Sequence, residues 1–345
     1  MYKDLLIDHN ETINNALIKL NSLKDISRLM LFVLKEDTVI GSITDGDIRR
    51  SLINNQDLNQ KVSLVCNTNF IYKMDTIDYI ELKSFVSKGI KILPLLNEDK
   101  SLSRIIDLEK YKSIIPIECV IMAGGRGKRL SPLTDIMPKP MLKLASKPII
   151  EYNIDNLISF GIKKFYISIN YLGEIIKDYF GDGSSKGIEI EYIQEDKPLG
   201  TAGSLSLINN FKSDQILLMN SDLFTDVNIE NMYLSLISHK ADMIIASNNH
   251  SIDIPFGIFE GNNNIITSLK EKPTYLYHAN AGIYIFNKKL IDMIPSNTYY
   301  DITDLMQAAI KNNLKLIHEP LLGYWIDIGS PQDYNRAKEI VKYIL

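Results

Sequence analysis

The sequence predicts an α/β chain in two parts: a repeated N-terminal unit and a larger domain built on a mostly parallel, doubly wound sheet. Three observations carry this. The apolar run Cys119-Val120-Ile121-Met122 opens directly into a glycine-rich basic loop, a second apolar run, Ile216-Leu217-Leu218-Met219, ends in Asn220-Ser221-Asp222, and an internal repeat lies ahead of both. Short apolar runs bounded by such turn residues read as buried strands, and in an open α/β sheet the crevice lies where the strands end. The 345 residues suffice for two domains, and 45% hydrophobic content can build their cores.

In chain order the repeat comes first. Leu34 to Asp45 matches Leu96 to Asp107 at a constant offset of 62 residues, and each copy reads as strand, acidic turn, strand and helix start. An amphipathic segment precedes each copy, Thr12 to Leu17 and Thr76 to Leu82, with acidic caps expected at Glu11 and Asp75. Two such units can bury each other's apolar faces. Tyr111 to Pro116 is the expected linker.

Beyond it, Met122-Ala123-Gly124-Gly125-Arg126-Gly127-Lys128-Arg129-Leu130, followed by Pro138-Lys139-Pro140, reads as a phosphate-gripping loop. Residues without a Cβ let backbone N–H groups approach phosphate oxygens, so Gly124, Gly125 and Gly127, with Ala123 beside them, are candidate nucleotide-binding positions. Arg126, Lys128, Arg129 and Lys139 supply the counter-charge that stacked phosphates need. A nucleoside triphosphate suits this loop. Neither commoner glycine motif fits: Leu130 stands where a dinucleotide fingerprint needs its third glycine, and Arg129 stands where a P-loop carries Ser or Thr. The other reading is a glycine-rich turn with solvated basic residues.

Two acids end candidate strands in the same region. Asp222 follows Ile216 to Met219, and Asp327 follows Tyr324-Trp325-Ile326. Both are hard oxygen donors suited to Mg2+, and each alone is also a common turn or helix-cap residue. Asp226 and Asp301 stand near similar ends without a supporting motif. Leu199-Gly200-Thr201-Ala202-Gly203 opens an apparent helix whose small residues would let a flat base rest on backbone, Gly200 above all. Trp325 is expected to pack beneath the Asp327 loop.

A net charge of −4 with pI near 5.8 gives no footing for general nucleic-acid binding, since Lys and Arg are scattered. Cys66 and Cys119 are expected in different domains as small buried apolar groups, with no disulfide and no zinc site. No signal pattern opens the chain and no apolar run reaches membrane-spanning length, so a cytoplasmic protein without membrane or nucleic-acid partners is expected. No Gly-x-Ser-x-Gly elbow is present, which favours direct in-line displacement over covalent catalysis.

Residues Val120 to Lys143 resemble the signature of the sugar-1-phosphate nucleotidylyltransferases, Gly-Gly-x-Gly-x-Arg-Leu-x-Pro-Leu-Thr followed by Pro-Lys-Pro. Further matches follow in family order: Glu195 to Gly203, Asn220-Ser221-Asp222, Pro255-Phe256-Gly257, Glu271-Lys272-Pro273, Asn280 to Tyr284 and Trp325 to Gly329. The resemblance implies a Rossmann-like (GT-A-like) domain over 117–345, with a nucleoside triphosphate and a sugar 1-phosphate as substrates. It further implies Arg129 and Lys139 as catalytic cations, Gly200 and Thr201 at the nucleobase, and Asp222 and Asp327 as joint magnesium ligands. Lys272, Glu271, Gly257 and Asn280 would line the sugar-phosphate site. Gly124-Gly125 and the Leu-Gly-Thr-Ala-Gly run resemble guanylyl- or thymidylyltransferases, whereas Lys128 departs from the usual Thr.

Gly41 to Arg50 resembles the strand-to-helix ending of a CBS domain, which makes residues 1–115 a tandem CBS pair. That resemblance implies adenine-nucleotide ribose contacts at Thr44 and Asp47. The second copy departs, with Ile106 and Glu109 at the matching positions; a purely structural or dimer-forming pair is the other reading. The fusion resembles bacterial guanylyltransferases acting on mannose 1-phosphate or glucosamine 1-phosphate in surface-glycan (legionaminic acid type) routes, and a homo-oligomer is expected. The alternatives are thymidylyl or uridylyl transfer to a glucose-1-phosphate-like substrate, and a catalytically silent nucleotide-sensing homologue.

Overall fold

The computed structural model describes residues 3–23, 30–54, 57–75, 79–109 and 113–344. The chain divides into two compact units, Met1–Ile114 and Ile115–Leu345.

In the N-terminal unit β1 (Leu6–Asp8), α1 (Ile13–Ser22), β2 (Met30–Lys35), β3 (Thr38–Thr44) and α2 (Asp45–Ile53) precede β4 (Lys73–Met74), α3 (Tyr79–Ser87), β5 (Ile92–Leu96) and β6 (Leu102–Asp107). The sheets are β1-β2-β3 and β4-β5-β6, and in each the first pair is parallel and the second antiparallel. The duplicated sequence thus folds twice into one topology. Leu5, Phe32 and Val39 of the first copy are buried with Ile92, Leu96 and Ile105 of the second, so each copy covers apolar surface that the other would leave in water.

Local details differ from the sequence expectations. Thr12, rather than Glu11, caps α1, its hydroxyl accepting the Asn15 N–H at 3.2 Å; a side-chain oxygen at that position reaches the orphan amides of the first turn. Asp75 pairs with Arg104 at 2.7 Å, and residues 76–78, where a helix start was expected, lie outside the described residues. After β6 comes a turn at Leu108 and Glu109, with the Glu109 N–H held by Asp107 at 3.1 Å. Residues 110–112, including the start of the expected linker, lie outside the described residues. Cys119 is fully buried and burial pushes its thiol up, whereas Cys66 is only partly buried.

The C-terminal unit runs β7 (Glu118–Met122), β8 (Lys143–Leu144), β9 (Lys147–Pro148), α4 (Ile149–Ser159), β10 (Lys164–Ile169), α5 (Gly173–Phe180), β11 (Glu189–Gln194), β12 (Gln215–Asn220), β13 (Leu223–Thr225), α6 (Ile229–Ser238) and β14 (Met243–Asp253). It continues with β15 (Ile258–Asn262), β16 (Ile265–Lys270), β17 (Thr274–Asn287), α7 (Ile302–Lys311), β18 (Leu316–Pro320), β19 (Trp325–Asp327) and α8 (Pro331–Ile344). Seven strands form one sheet in the order β11-β10-β7-β12-β17-β14-β18, with β17 antiparallel to both neighbours and every other pairing parallel. The sheet is thus mixed and mostly parallel, as the sequence predicts. The reason is local: β17 returns directly alongside β14, and antiparallel neighbours need no crossover helix.

Val120, Leu218, Met243 and Phe286 of the sheet pack with Leu205, Leu305 and Ala309 in one core. The register pairs Asn220 with Met122, so the loops after β7 and β12 open side by side at the same edge. A second cluster, including Leu130, Phe224, Ile326, Ile328 and Tyr334, packs beneath those loops. Among the described residues no helix is long and apolar enough to cross a membrane.

Candidate active site

The glycine loop leaves β7 with the Ala123 N–H bonded to the Ser168 carbonyl at 2.9 Å, which fixes where the chain departs from the sheet. Gly127 takes a left-handed conformation, φ 60°, and its carbonyl accepts the Thr134 hydroxyl at 2.9 Å. A Cβ there would lie 3.0 Å from the Lys139 Cβ. Glycine is thus what lets the loop turn back onto the Pro138-Lys139-Pro140 segment. Gly125 has open space where a Cβ would project. Gly125, Gly127, Lys128, Arg129, Lys139 and Asp222 line one pocket of about 230 Å³, so residues predicted from separate motifs do meet.

Lys139 is 9% exposed, and its ammonium contacts the Asp222 carboxylate and lies 3.9 Å from Asp327. Leu223 of β13 pairs with Asp327 of β19, and this short antiparallel contact brings the two acids together from distant sequence. Burial raises the Asp327 carboxyl above its ordinary range, and the neighbouring Asp222 charge adds to that, against the opposing pull of Lys139 and Arg129. The Arg129 guanidinium lies against Gly329, where a Cβ would meet it at 3.4 Å. Among the described residues no group of three or more His, Cys, Asp or Glu side chains could hold a metal. The acid pair is the donor set that the cleft offers.

The Leu199 to Gly203 segment is a turn, and the helix it opens is a five-residue 3-10 helix, Gly203–Leu207. Gly200 has φ +78°, and a Cβ on it would lie 2.8 Å from both Asp301 Oδ1 and the Tyr300 carbonyl oxygen. The Thr201 hydroxyl is engaged away from the cleft: it donates to Asp301 at 3.2 Å and accepts the Ile302 N–H at 2.9 Å.

Two acids here had no assigned role in the sequence. Glu195 is 5% exposed, accepts the Ser168 hydroxyl, and accepts the Leu199 N–H at 3.1 Å. A Cβ on Gly124 would stand 3.2 Å from its Oε1, so one buried carboxylate touches both the glycine loop and the 199–203 turn. Its signal was position, directly after β11 at the same end of the sheet as Met122 and Asn220. Asp301 precedes α7 and bonds Thr201 across 100 positions, which no local pattern reveals.

Of the sugar-side candidates, Gly257 lies between β14 and β15, Glu271 and Lys272 between β16 and β17, and Asn280 within β17; none of them lines the pocket of Lys139 and Asp222. A Cβ on Gly257 would sit 3.0 Å from the Glu271 carboxylate, so these two are neighbours. Lys272 is exposed, has φ 43°, and has no ion-pair partner among the described residues. Asn280 acts as a turn residue, its Oδ1 accepting the Gly282 N–H at 3.0 Å. Trp325 is partly buried, and its indole N–H donates to the Ala281 carbonyl at 2.9 Å. With Asn248, Asn249, Asp327 and Arg336 it lines a second pocket of about 520 Å³. Asp327 thus lines this pocket while Asp222 lines that of the glycine loop.

In the N-terminal unit Thr44 and Asp47 form a capping box for α2. Asp47 accepts the Thr44 N–H at 2.9 Å and its hydroxyl at 2.6 Å, and the Asp47 N–H returns to Thr44 Oγ1 at 3.2 Å. Arg50 pairs with Asp47 at 2.6 Å. In the second copy the matching Ile106 is buried in β6, and Glu109 pairs with Lys91 at 2.7 Å.

A basic glycine loop facing two acidic strand ends at the edge of a mixed sheet is an arrangement for handling a nucleoside triphosphate. Residues 118–342 match the Nucleotidyl transferase family, and the chain belongs to that family. It is 32% identical over 224 residues to a mannose-1-phosphate guanyltransferase of Gibberella zeae, covering 62% of this chain and 61% of that one. It is also 30% identical over 242 residues to a UTP–glucose-1-phosphate uridylyltransferase of Synechocystis, covering 64% and 62%. The solved structure of HddC from Yersinia pseudotuberculosis is similar at TM-score 0.51 and 25% identity, over 65% of this chain and 99% of that one. The chain spans about three-fifths of the length of the curated guanylyltransferases it matches.

Proposed function

We propose that this chain transfers GMP from GTP to a hexose 1-phosphate of the mannose or glucosamine type, giving a nucleoside diphosphate sugar and pyrophosphate. The observation that carries this reading is the convergence of Gly125, Gly127, Arg129, Lys139 and Asp222 on one pocket, with Asp327 3.9 Å from the Lys139 ammonium. A sugar phosphate is already ionised near neutral pH, so its oxygen attacks the α-phosphorus without a strong base. As that P–O bond forms, the bond from the α-phosphorus to the bridging oxygen breaks, and its electron pair leaves with pyrophosphate. The barrier is chiefly repulsion and alignment of two polyanions. Lys139 meets the α-phosphate, Arg129 the departing pyrophosphate, and Lys272 the incoming sugar phosphate.

Asp222 and Asp327 are hard oxygen donors whose mutual repulsion helps raise Asp327. These two carboxylates would hold a magnesium ion, which would neutralise phosphate charge there.

The likeness to a mannose-1-phosphate guanyltransferase supports guanine as the base. Uridylyl or thymidylyl transfer is the second reading, favoured by the likeness to the Synechocystis enzyme. The duplicated β1-β2-β3 and β4-β5-β6 topology supports a CBS pair in the N-terminal unit, with an adenine nucleotide at Thr44 and Asp47 in competition with their capping box. Presenting GTP, dTTP, UTP, CTP and ATP with a panel of sugar 1-phosphates, and measuring pyrophosphate, tests the reading. Release from GTP with a mannose- or glucosamine-type phosphate supports it, and release with no pair contradicts it.

A further inference from the structure

Asp301 has no place in the chemistry above, yet it is the hub of the contacts around the nucleobase turn. Its Oδ1 accepts the Thr201 N–H at 3.0 Å and the Thr201 hydroxyl at 3.2 Å, and its Oδ2 accepts the Tyr299 hydroxyl at 2.9 Å. The exchange is reciprocal: the first amide of α7, Ile302 N–H, is capped at 2.9 Å by Thr201 Oγ1. The backbone follows, with Tyr300 N–H bonded to the Leu199 carbonyl at 2.9 Å and the Ala202 and Gly203 N–H groups both on the Tyr300 carbonyl at 3.0 Å. Glu195 pins the other end of the turn through the Leu199 N–H at 3.1 Å. Gly200 lies so close to Asp301 and Tyr300 that no side chain fits at that position without displacing them.

We infer that Asp301 is a positioning residue for nucleobase binding, acting through Thr201 to hold residues 199–203 in the one conformation that presents Gly200 to the base. This rests on the reading of that turn as the nucleobase site. A turn held at both ends by carboxylates is ordered before the nucleotide arrives, so less ordering entropy opposes binding. Loss of the Asp301 clamp therefore weakens nucleotide binding and leaves phosphate chemistry intact, because Lys139, Arg129 and Asp222 lie on other elements.

Full-length parent, Asp301→Ala, Asp301→Asn and Asp304→Ala are compared by GTP titration calorimetry and by initial rates with saturating sugar 1-phosphate. Asp304 accepts the Asp301 N–H at 3.0 Å in the α7 cap and makes no bond to the turn, so its variant reports the cost of the cap alone. Asp301→Ala is expected to raise the Kd and KM for GTP about tenfold, the scale of losing hydrogen bonds to a charged acceptor, with kcat within about twofold and the sugar phosphate KM unchanged. Asp301→Asn keeps a carbonyl acceptor for Thr201 and should recover most of the affinity. Asp304→Ala should lower the thermal midpoint and leave GTP affinity at the parent value. Parent-like GTP affinity in Asp301→Ala overturns the inference, as does an equal loss in Asp304→Ala, which would reduce Asp301 to a helix cap. A parent that binds GTP but releases no pyrophosphate with any sugar phosphate contradicts the proposed reaction, while the GTP affinities still decide the role of Asp301. A parent that binds no GTP overturns both.

Discussion

The two halves of the proposed site are built differently. On the proposed nucleotide side, Lys139 is 9% exposed, Ala202 is fully buried, and the turn at 199–203 is bonded to Glu195 and Asp301. On the proposed sugar side, all six residues of β16 are exposed, with Ile265 at 69% and Leu269 at 59%. A two-stranded ribbon open to water has little packing to hold it in one place. Under the proposed function, substitutions in the first should reach the chemistry itself, and those in the second should reach binding of one substrate.

The largest effect belongs to the acid pair. Asp222→Asn should lower kcat about 10²- to 10³-fold, the range seen when a preorganised electrostatic partner is lost, with the thermal midpoint close to that of the parent. Near-parent turnover at saturating magnesium would break the comparison at its strongest point. On the ribbon, Lys272→Ala should raise the sugar 1-phosphate KM about ten- to a hundredfold, the scale of a lost hydrogen bond between charged groups, and leave the GTP KM alone. A change in the GTP KM of the same size would show that the ribbon serves both substrates.

A smaller effect sharpens the nucleotide side. Glu195→Gln puts an amide where a buried carboxylate accepts the Ser168 hydroxyl and the Leu199 N–H, so the 199–203 turn should loosen and the KM for GTP rise about tenfold with kcat little changed. A parent-like KM would remove Glu195 from the ordering of that turn. The smallest effect is expected in the N-terminal unit. Asp47→Ala removes half of the α2 capping box, which costs about 1 kcal/mol of local stability, and should leave kcat at saturating substrates unchanged while abolishing adenine-nucleotide binding by calorimetry. Binding that survives in Asp47→Ala would make the pair a structural element.

What was legible in the sequence follows the same division. The repeat, the two domains and the buried strands ending at Met122 and Asn220 were visible because each is written in contiguous residues with a period or a boundary. The cluster of Arg129, Lys139 and Asp222 was visible through motifs, although their convergence depends on parallel register across β7 and β12. The antiparallel β17 was not visible, because a continuous apolar run does not state its direction. Glu195 and Asp301 were not assigned roles either, since their partners at Gly124 and Thr201 are supplied by tertiary approach. Thr12 displaced Glu11 as a cap through a difference of one position, below what a pattern of acidic starts can resolve.

Hydrogen exchange on the full-length protein tests the contrast between the halves most directly, because it reads local opening segment by segment. Without ligands, the amides of Thr201, Ala202 and Gly203 should exchange slowly and those of Ile265 to Lys270 quickly. Adding GTP alone should change residues 265–270 little, and adding sugar 1-phosphate with it should slow them. Equal protection of the two segments in the free protein, or a ribbon indifferent to the sugar phosphate, would contradict the account.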